Sequence, residues 1–146
     1  MKKSFILFGA IAFGLFSSCS DDDSSDRPED ALIGSWQLVS QSENGRSYEL
    51  DACELEETVI FKSGGTFELI DYDQVEGNEN QCVINADATM SGEWSIPEPG
   101  KVLVVDEDNE AVMVDYSVSG AKLIFISEGI DDYVGAYTRT SVYKKK

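Results

Sequence analysis

The sequence contains no histidine. A Ser-His-Asp triad, a Cys-His catalytic pair and any zinc site with a histidine ligand are therefore excluded. No phosphate-cradling glycine loop and no nucleophile elbow is present either. With 28 acidic residues some carboxylates lie close together by chance, and nothing marks one pair for glycoside hydrolysis. We expect a protein that is not an enzyme and that needs no metal and no cofactor.

Basic residues are scarce: 11 Lys and Arg stand against 28 Asp and Glu, which gives a formal net charge of −17. The one run of basic residues, Lys144–Lys146, lies at the end of the sequence. A chain with this excess of negative charge repels the phosphates of nucleic acids. We therefore expect no nucleic-acid partner.

There is one long apolar run, Phe5–Phe16, and it follows the basic pair Lys2-Lys3. It is too short to span a bilayer as a helix, which takes roughly 20 residues, and it has the length of a signal-peptide core. The next residues, Phe16-Ser17-Ser18-Cys19, resemble the lipobox of bacterial lipoproteins, with Phe16 where leucine is usual. The resemblance implies that residues 1–18 are a signal peptide and that Cys19 is lipidated. The alternative is an ordinary secreted protein in which Cys19 is incidental.

Residues 19–31 are interpreted as a lipidated, acidic tether, because their first part is polar and lacks apolar side chains. Within the tether, Ser20-Asp21-Asp22-Asp23 resembles the export signal of Bacteroidota surface lipoproteins. The resemblance implies an outer-membrane protein at the cell surface, held to the lipid bilayer through acylated Cys19. Alternatively, the segment is only a solvated spacer and the protein stays on the periplasmic face.

Residues 32–146 alternate short strand-like segments with turn signals, which predicts a single all-β domain. In Val112–Val118, apolar residues alternate with polar ones or Met113, the period of a half-buried strand. The eight predicted strands are 33–42, 58–62, 66–73, 89–96, 101–106, 112–118, 122–127 and 133–143. An even meander of eight closes into an antiparallel up-and-down β-barrel, which removes exposed sheet edges. A two-sheet sandwich is the alternative, and residues 51–57 could form one helical turn.

Two Gly-x-Trp motifs carry a family resemblance: Gly34-Ser35-Trp36 on the first strand and Gly92-Glu93-Trp94 in mid-chain. With the Phe61–Phe67 hairpin between them, they make residues 32–144 similar to the lipocalin-like lipoproteins of Bacteroidota. The resemblance implies a lipocalin-like barrel with Gly34 and Trp36 at its closed end. It also implies that Arg139, the one arginine of the last strand, lies across the Trp36 ring as a cation–π partner.

With Cys19 lipidated, Cys53 and Cys82 remain as a pair. Two cysteines outside the cytoplasm favour one disulfide over two free thiols. The bond would tie the segment before the second strand to the polar loop 74–81.

The densest acidic run of the domain is Asp106–Glu110. Calcium prefers such oxygen ligands, but the run lacks the glycine and the distal glutamate of an EF-hand loop. We interpret it as an exposed hairpin turn, and we interpret the stretch from Asp71 to Glu76 in the same way.

Two functions fit these observations. The first is a non-catalytic binding module that holds a small apolar ligand in its barrel, as the resemblance implies. The second is an accessory lipoprotein that docks on another envelope protein and has no small-molecule site. The sequence identifies no ligand-binding residue, and an open cavity inside the barrel would separate the two.

Overall fold

The computed structural model describes residues 27–131 and 135–146. The predictions for the signal peptide, for Cys19 and for the export signal Ser20–Asp23 lie outside these residues. Within the described ranges, no helix is both long enough and apolar enough to cross a membrane.

The described residues form short antiparallel strands, one α-helix and one turn of 3-10 helix, Glu54–Glu56. The α-helix is α1, Pro28–Leu32. The strands are β1 Gly34–Glu43, β2 Arg46–Ser47, β3 Thr58–Phe61, β4 Thr66–Ile70, β5 Tyr72–Val75, β6 Asn78–Ile84, β7 Met90–Glu98, β8 Lys101–Asp106, β9 Ala111–Ser119, β10 Lys122–Asp131 and β11 Gly135–Lys145.

Eight of these strands close into a barrel in the order β1, β3, β4, β7, β8, β9, β10, β11. Closure comes from antiparallel pairing of the first and last strands, which runs from Trp36 opposite Lys145 to Glu43 opposite Arg139. The predicted eight-stranded up-and-down barrel is thus confirmed, and the sandwich alternative is excluded. We name the two ends of the barrel by these pairs: the Trp36 end and the Arg139 end.

Three strands outside the eight-stranded barrel were not predicted. β2 pairs with the end of β1, with Ser47 opposite Ser42. β5 and β6 form a separate hairpin, with Tyr72 opposite Ile84, where the sequence predicted the end of one strand and a polar loop. Residues 78–81 of β6 are all polar and carry no alternation of apolar and polar side chains, so the periodic signal for a strand is missing there. The predicted helical turn within 51–57 is present as the 3-10 helix.

The folded region begins earlier than predicted, because α1 starts at Pro28 and so includes the last four residues assigned to the tether. Proline suits the first turn of a helix, where its missing N–H would be unpaired in any case. Leu32 at the end of α1 is fully buried and belongs to the core of the barrel.

The core is concentrated at the Trp36 end. Leu32, Trp36 and Leu123 are completely buried there, and Val102 is 1% exposed. Side chains of each strand alternate between lumen and solvent, so every second residue contributes to this core. In β9, Val114, Tyr116 and Val118 pack against the core, while Asp115 and Ser117 are exposed, which confirms the predicted alternation.

Candidate functional site

A cavity of about 270 Å³ lies in the barrel lumen between the packed core and the Arg139 end. Met90 and Arg139 line it and are both exposed, so the cavity reaches solvent at the Arg139 end. Most of its wall is apolar. The lining residues are Gln41, Glu57, Val59, Phe61, Phe67, Leu69, Met90, Val102, Val104, Val114, Phe125, Ser127, Arg139, Ser141 and Tyr143.

Aromatic rings make the deeper part of the wall. Phe61 meets Trp94 and Phe125 edge-on, with ring centroids 5.2 and 6.0 Å apart. Phe125 in turn meets Tyr143 edge-on at 5.6 Å. Edge-to-face contacts of this kind hold rings in fixed orientations, so this part of the wall is a preformed apolar surface.

A β-bulge in β1 brings a polar side chain into the lumen. Leu38 pairs with Tyr143 and Ser40 with Val142, so Val39 is an extra residue in β1. The extra residue reverses the alternation. Leu38 is buried and Val39 is 45% exposed, and beyond the bulge Gln41 faces the cavity.

The cavity has a polar wall, formed by β1, β11 and Glu57, the residue between the 3-10 helix and β3. The Tyr143 hydroxyl donates a hydrogen bond of 2.7 Å to the Glu57 carboxylate. Beside this pair, the Gln41 amide donates to the Ser141 hydroxyl over 3.2 Å. Among the described residues, no buried side-chain nitrogen or oxygen is left without a hydrogen-bond partner.

Burial shifts the titration of the Glu57–Tyr143 pair. Removal from water raises the pKa of Glu57 above its usual value, although the hydrogen bond from Tyr143 acts in the opposite direction. The pKa of Tyr143 is raised well above its usual value, first by burial and then by the Glu57 charge. Tyr143 therefore stays protonated at neutral pH and serves as a donor.

The predicted cation–π contact between Arg139 and Trp36 is wrong. Arg139 is paired with Glu43 at the opposite end of β1, with 3.2 Å between guanidinium nitrogen and carboxylate oxygen. Its guanidinium carbon also lies 5.4 Å from the centre of the Tyr137 ring. The cation over Trp36 is Lys145, whose ammonium is 5.2 Å from the ring centre. β11 runs to Lys145, two residues beyond the predicted end of the last strand, and it is Lys145 that lies opposite Trp36, whereas Arg139 lies six residues earlier in the strand.

Trp36 lies nearer its own barrel end than the polar wall does, because Tyr143 of that wall is opposite Leu38, two residues further along β1. Its indole N–H donates a 2.7 Å hydrogen bond to the Leu32 carbonyl at the end of α1, so the ring links the helix to the barrel. Gly34 has φ of +137°, in a region that side chains other than glycine rarely adopt. The first Gly-x-Trp motif thus combines a backbone conformation that requires glycine with a buried ring.

The second Gly-x-Trp motif rests on a different constraint. A Cβ at Gly92 would lie 2.0 Å from the Val105 carbonyl oxygen on β8, so only glycine fits. Trp94 is buried, and its indole N–H donates to the Lys62 carbonyl over 3.1 Å.

Cys53 and Cys82 form the predicted disulfide, which joins the segment before the 3-10 helix to β6. It holds the β5–β6 hairpin to the segment that leads into Glu57. Cys53 is completely buried.

The acidic run Asp106–Glu110 is a turn between β8 and β9. One Asp106 carboxylate oxygen accepts the backbone N–H groups of Asp108 and Glu110, as expected for a hairpin turn. In the part of the chain that the structure describes, no group of three or more Cys, Asp or Glu side chains is placed to hold a metal ion.

The residues of the polar wall were not predicted from the sequence. Tyr143 could have been predicted to face the lumen, because it lies two residues after Ser141 on the last strand and therefore on the same face. Glu57 gave no signal, since it lies at the end of a predicted helical turn among other acidic residues. Gln41 was hidden because the bulge at Val39 changes the face on which it lies.

Comparison with known proteins agrees with this architecture. The lipocalin-like domain family matches residues 32–125. No sequence among the curated proteins matches the chain.

Several solved lipocalins are similar in structure. Possum milk whey lipocalin trichosurin, solved with 4-ethylphenol, has 13% identity and a TM-score of 0.48 over 79% of this chain and 76% of its own. The bovine lipocalin allergen Bos d 2 has 12% identity and a TM-score of 0.48, with 81% and 75% covered. Bovine odorant-binding protein with a selenium-containing odorant has 12% identity and a TM-score of 0.48, with 87% and 78% covered.

The family match extends from the last residue of α1 into β10, and so takes in six of the eight strands that close the barrel, the start of a seventh, and both Gly-x-Trp motifs. Sequence and closure of the barrel therefore lead to the same assignment: the chain belongs to the family of lipocalin-like domains.

Proposed function

We propose that the barrel is a non-catalytic binding module that holds a small, mainly apolar molecule in its lumen. The observation that carries the proposal is the cavity of about 270 Å³, walled by aliphatic and aromatic side chains. Ligand pockets are concave and mostly apolar, with a few polar groups that fix orientation. Pockets for drug-sized ligands run from about 300 to 1,000 Å³, so the ligand here is a smaller molecule.

Burial of the ligand's apolar surface supplies the driving force. Each Å² of apolar surface removed from water is worth roughly 25 cal/mol. The wall is preformed by packed rings and needs little reordering when a ligand enters, which leaves more of that free energy for affinity.

A fluorescent apolar probe tests the proposal. N-phenyl-1-naphthylamine, which brightens in apolar surroundings, should bind the protein saturably. Val114→Phe fills the cavity from β9 and should abolish binding, since Val114 lines it. Met113→Phe is the matched control, because Met113 is the next residue of the same strand and is 48% exposed on the outside. It should bind as wild type does.

Overpacking costs typically 1–3 kcal/mol, so circular dichroism and thermal unfolding must show that Val114→Phe is folded. If folded wild-type protein does not bind the probe, or if both variants bind equally, the lumen is not the site. That result would favour the alternative, an accessory protein that docks on an envelope partner.

We also propose that the module is anchored to the outer membrane through lipid on Cys19. The support is the sequence alone: the basic start, the apolar run and Phe16-Ser17-Ser18-Cys19. Two or more acyl chains anchor a protein stably, whereas one chain holds it only marginally. Cys19→Ala should release the protein from membranes, and intact-mass analysis of wild type should show acylation. An unmodified mature chain would contradict the anchor.

Surface display is a separate proposal and rests on Ser20-Asp21-Asp22-Asp23. Replacing the three aspartates with alanine should protect the protein from protease added to whole cells. Equal accessibility of mutant and wild type would reduce these residues to a spacer.

A further inference from the structure

We propose that the cavity selects ligands that carry a protonated amine on an apolar body, and that Glu57 is the residue that binds the amine. The inference rests on the proposed binding function and names its ligand class. The geometry that points to it is a carboxylate on the wall of an otherwise mostly apolar cavity, fixed in place by a neighbouring hydroxyl.

Glu57 is held in position but is not neutralised. The Tyr143 hydroxyl donates to one of its oxygens over 2.7 Å and fixes the side chain against β11. Within residues 27–131 and 135–146, Glu57 takes part in no salt bridge. A carboxylate has two oxygens and about four acceptor positions, so one hydrogen bond leaves capacity for a donor in the cavity.

Among the described residues that line the cavity, Arg139 is the one basic residue, and its charge is already paired. Its guanidinium binds Glu43 at 3.2 Å and stacks over Tyr137 at 5.4 Å. A ligand carboxylate would have to compete with Glu43 for it. The lining therefore offers an uncompensated negative charge to a ligand and offers only a compensated positive one.

Neighbouring charges also favour a cationic ligand over an anionic one. Asp71 and Glu54 are near enough for their negative charges to act on Glu57, and the positive charge of Arg139 and the hydrogen bond from Tyr143 act in the opposite direction. The whole chain carries −17 formal charges. A field of this sign attracts cations toward the cavity and repels anions such as fatty acids.

Three probes with one apolar body test the selection: 2-naphthylmethylamine, 2-methylnaphthalene and 2-naphthoate. Each is measured at pH 7 by its displacement of N-phenyl-1-naphthylamine from the wild-type protein. The amine should displace at the lowest concentration and the carboxylate at the highest. A carboxylate that equals or outcompetes the amine would overturn the inference and would leave the binding function standing.

Variants assign the effect to Glu57. Hydrogen bonds to charged groups are strong enough that Glu57→Gln should lower the affinity for the amine by about tenfold or more. The same variant should change the affinity for 2-methylnaphthalene by no more than about twofold. Glu56→Gln is the matched control, because it removes an equal charge from the preceding residue, which is exposed and does not line the cavity. It should leave the affinities of all three probes unchanged.

The two proposals fail differently. If neither the fluorophore nor any naphthalene binds, the binding function is wrong. If all bind but the amine shows no preference, or if Glu57→Gln and Glu56→Gln weaken it equally, the site on Glu57 is wrong.

Discussion

The two ends of the barrel are built from different chemistry. At the Trp36 end, large apolar side chains fill the lumen, and the indole N–H of Trp36 is satisfied by the backbone of α1. At the Arg139 end, the same strands turn polar side chains inward and leave a cavity. One alternating pattern therefore makes both the apolar core of the Trp36 end and the cavity, and the difference lies in which residues occupy the inward positions.

The largest expected effect on stability comes from the packed core at the Trp36 end. Trp36→Ala removes a completely buried indole and its hydrogen bond to Leu32, and should lower the free energy of unfolding by about 3–5 kcal/mol. Urea denaturation followed by circular dichroism measures it. Trp36→Phe keeps most of the apolar volume and should cost clearly less. If the alanine variant costs under about 1 kcal/mol, the Trp36 end is not the stability centre of the barrel.

The disulfide contributes to stability away from the Trp36 end. Cys53 and Cys82 hold the β5–β6 hairpin to the segment leading into Glu57, at the end with the smaller core. The double change Cys53→Ser and Cys82→Ser should lower the free energy of unfolding by about 2–4 kcal/mol, since the bond restricts the unfolded chain. Wild type unfolded with a reductant should give the same loss, and a much smaller loss would mean that the hairpin detaches locally first.

The pH dependence of stability provides a third test. Because burial raises the pKa of Glu57 in the folded state, the folded protein holds its proton more tightly than the unfolded chain, whose ordinary value is 4.5. The contribution of Glu57 to the free energy of unfolding is therefore greatest below pH 4.5 and is lost as the pH rises through the higher pKa of the folded state. The groups that act on it are Tyr143, Asp71, Glu54 and Arg139.

Glu57→Gln isolates this contribution, since all other titrating groups are common to both proteins. The variant should become more stable relative to wild type as the pH rises above 4.5, and the difference should level off once Glu57 is ionised. Thermal unfolding of both proteins at several pH values measures the difference. A difference that is constant with pH, or that falls, would show that the Glu57 charge is well solvated.

Sequence predicted the barrel better than the site, and particular residues show why. The strand Val112–Val118 could be recognised because its alternation is local. The cation that contacts Trp36 could not be predicted, because it depends on the register of β1 against β11. The bulge at Val39 and the extension of β11 to Lys145 both set that register. Register is a property of two distant segments, and no local pattern encodes it.

The smallest expected effects concern the two cations that this register places at opposite ends. Lys145 lies over the Trp36 ring at 5.2 Å, and Arg139 is joined to Glu43 at 3.2 Å with its side chain 43% exposed. Exposed cation–π contacts contribute about 0.5–1 kcal/mol and exposed ion pairs about 0.2–1 kcal/mol. Lys145→Met and Arg139→Met should therefore both cost less than about 1 kcal/mol, and stability alone will not separate them.

Tryptophan emission does separate the two cations. With Trp94→Phe as background, Trp36 is the one remaining tryptophan, because the chain has two. Lys145→Met removes a charge 5.2 Å from its ring and should shift its emission, whereas Arg139→Met acts at the other end and should leave it unchanged. The opposite result, a shift with Arg139→Met alone, would mean that the strands pair in another register. It would also restore Arg139 as the residue that covers Trp36.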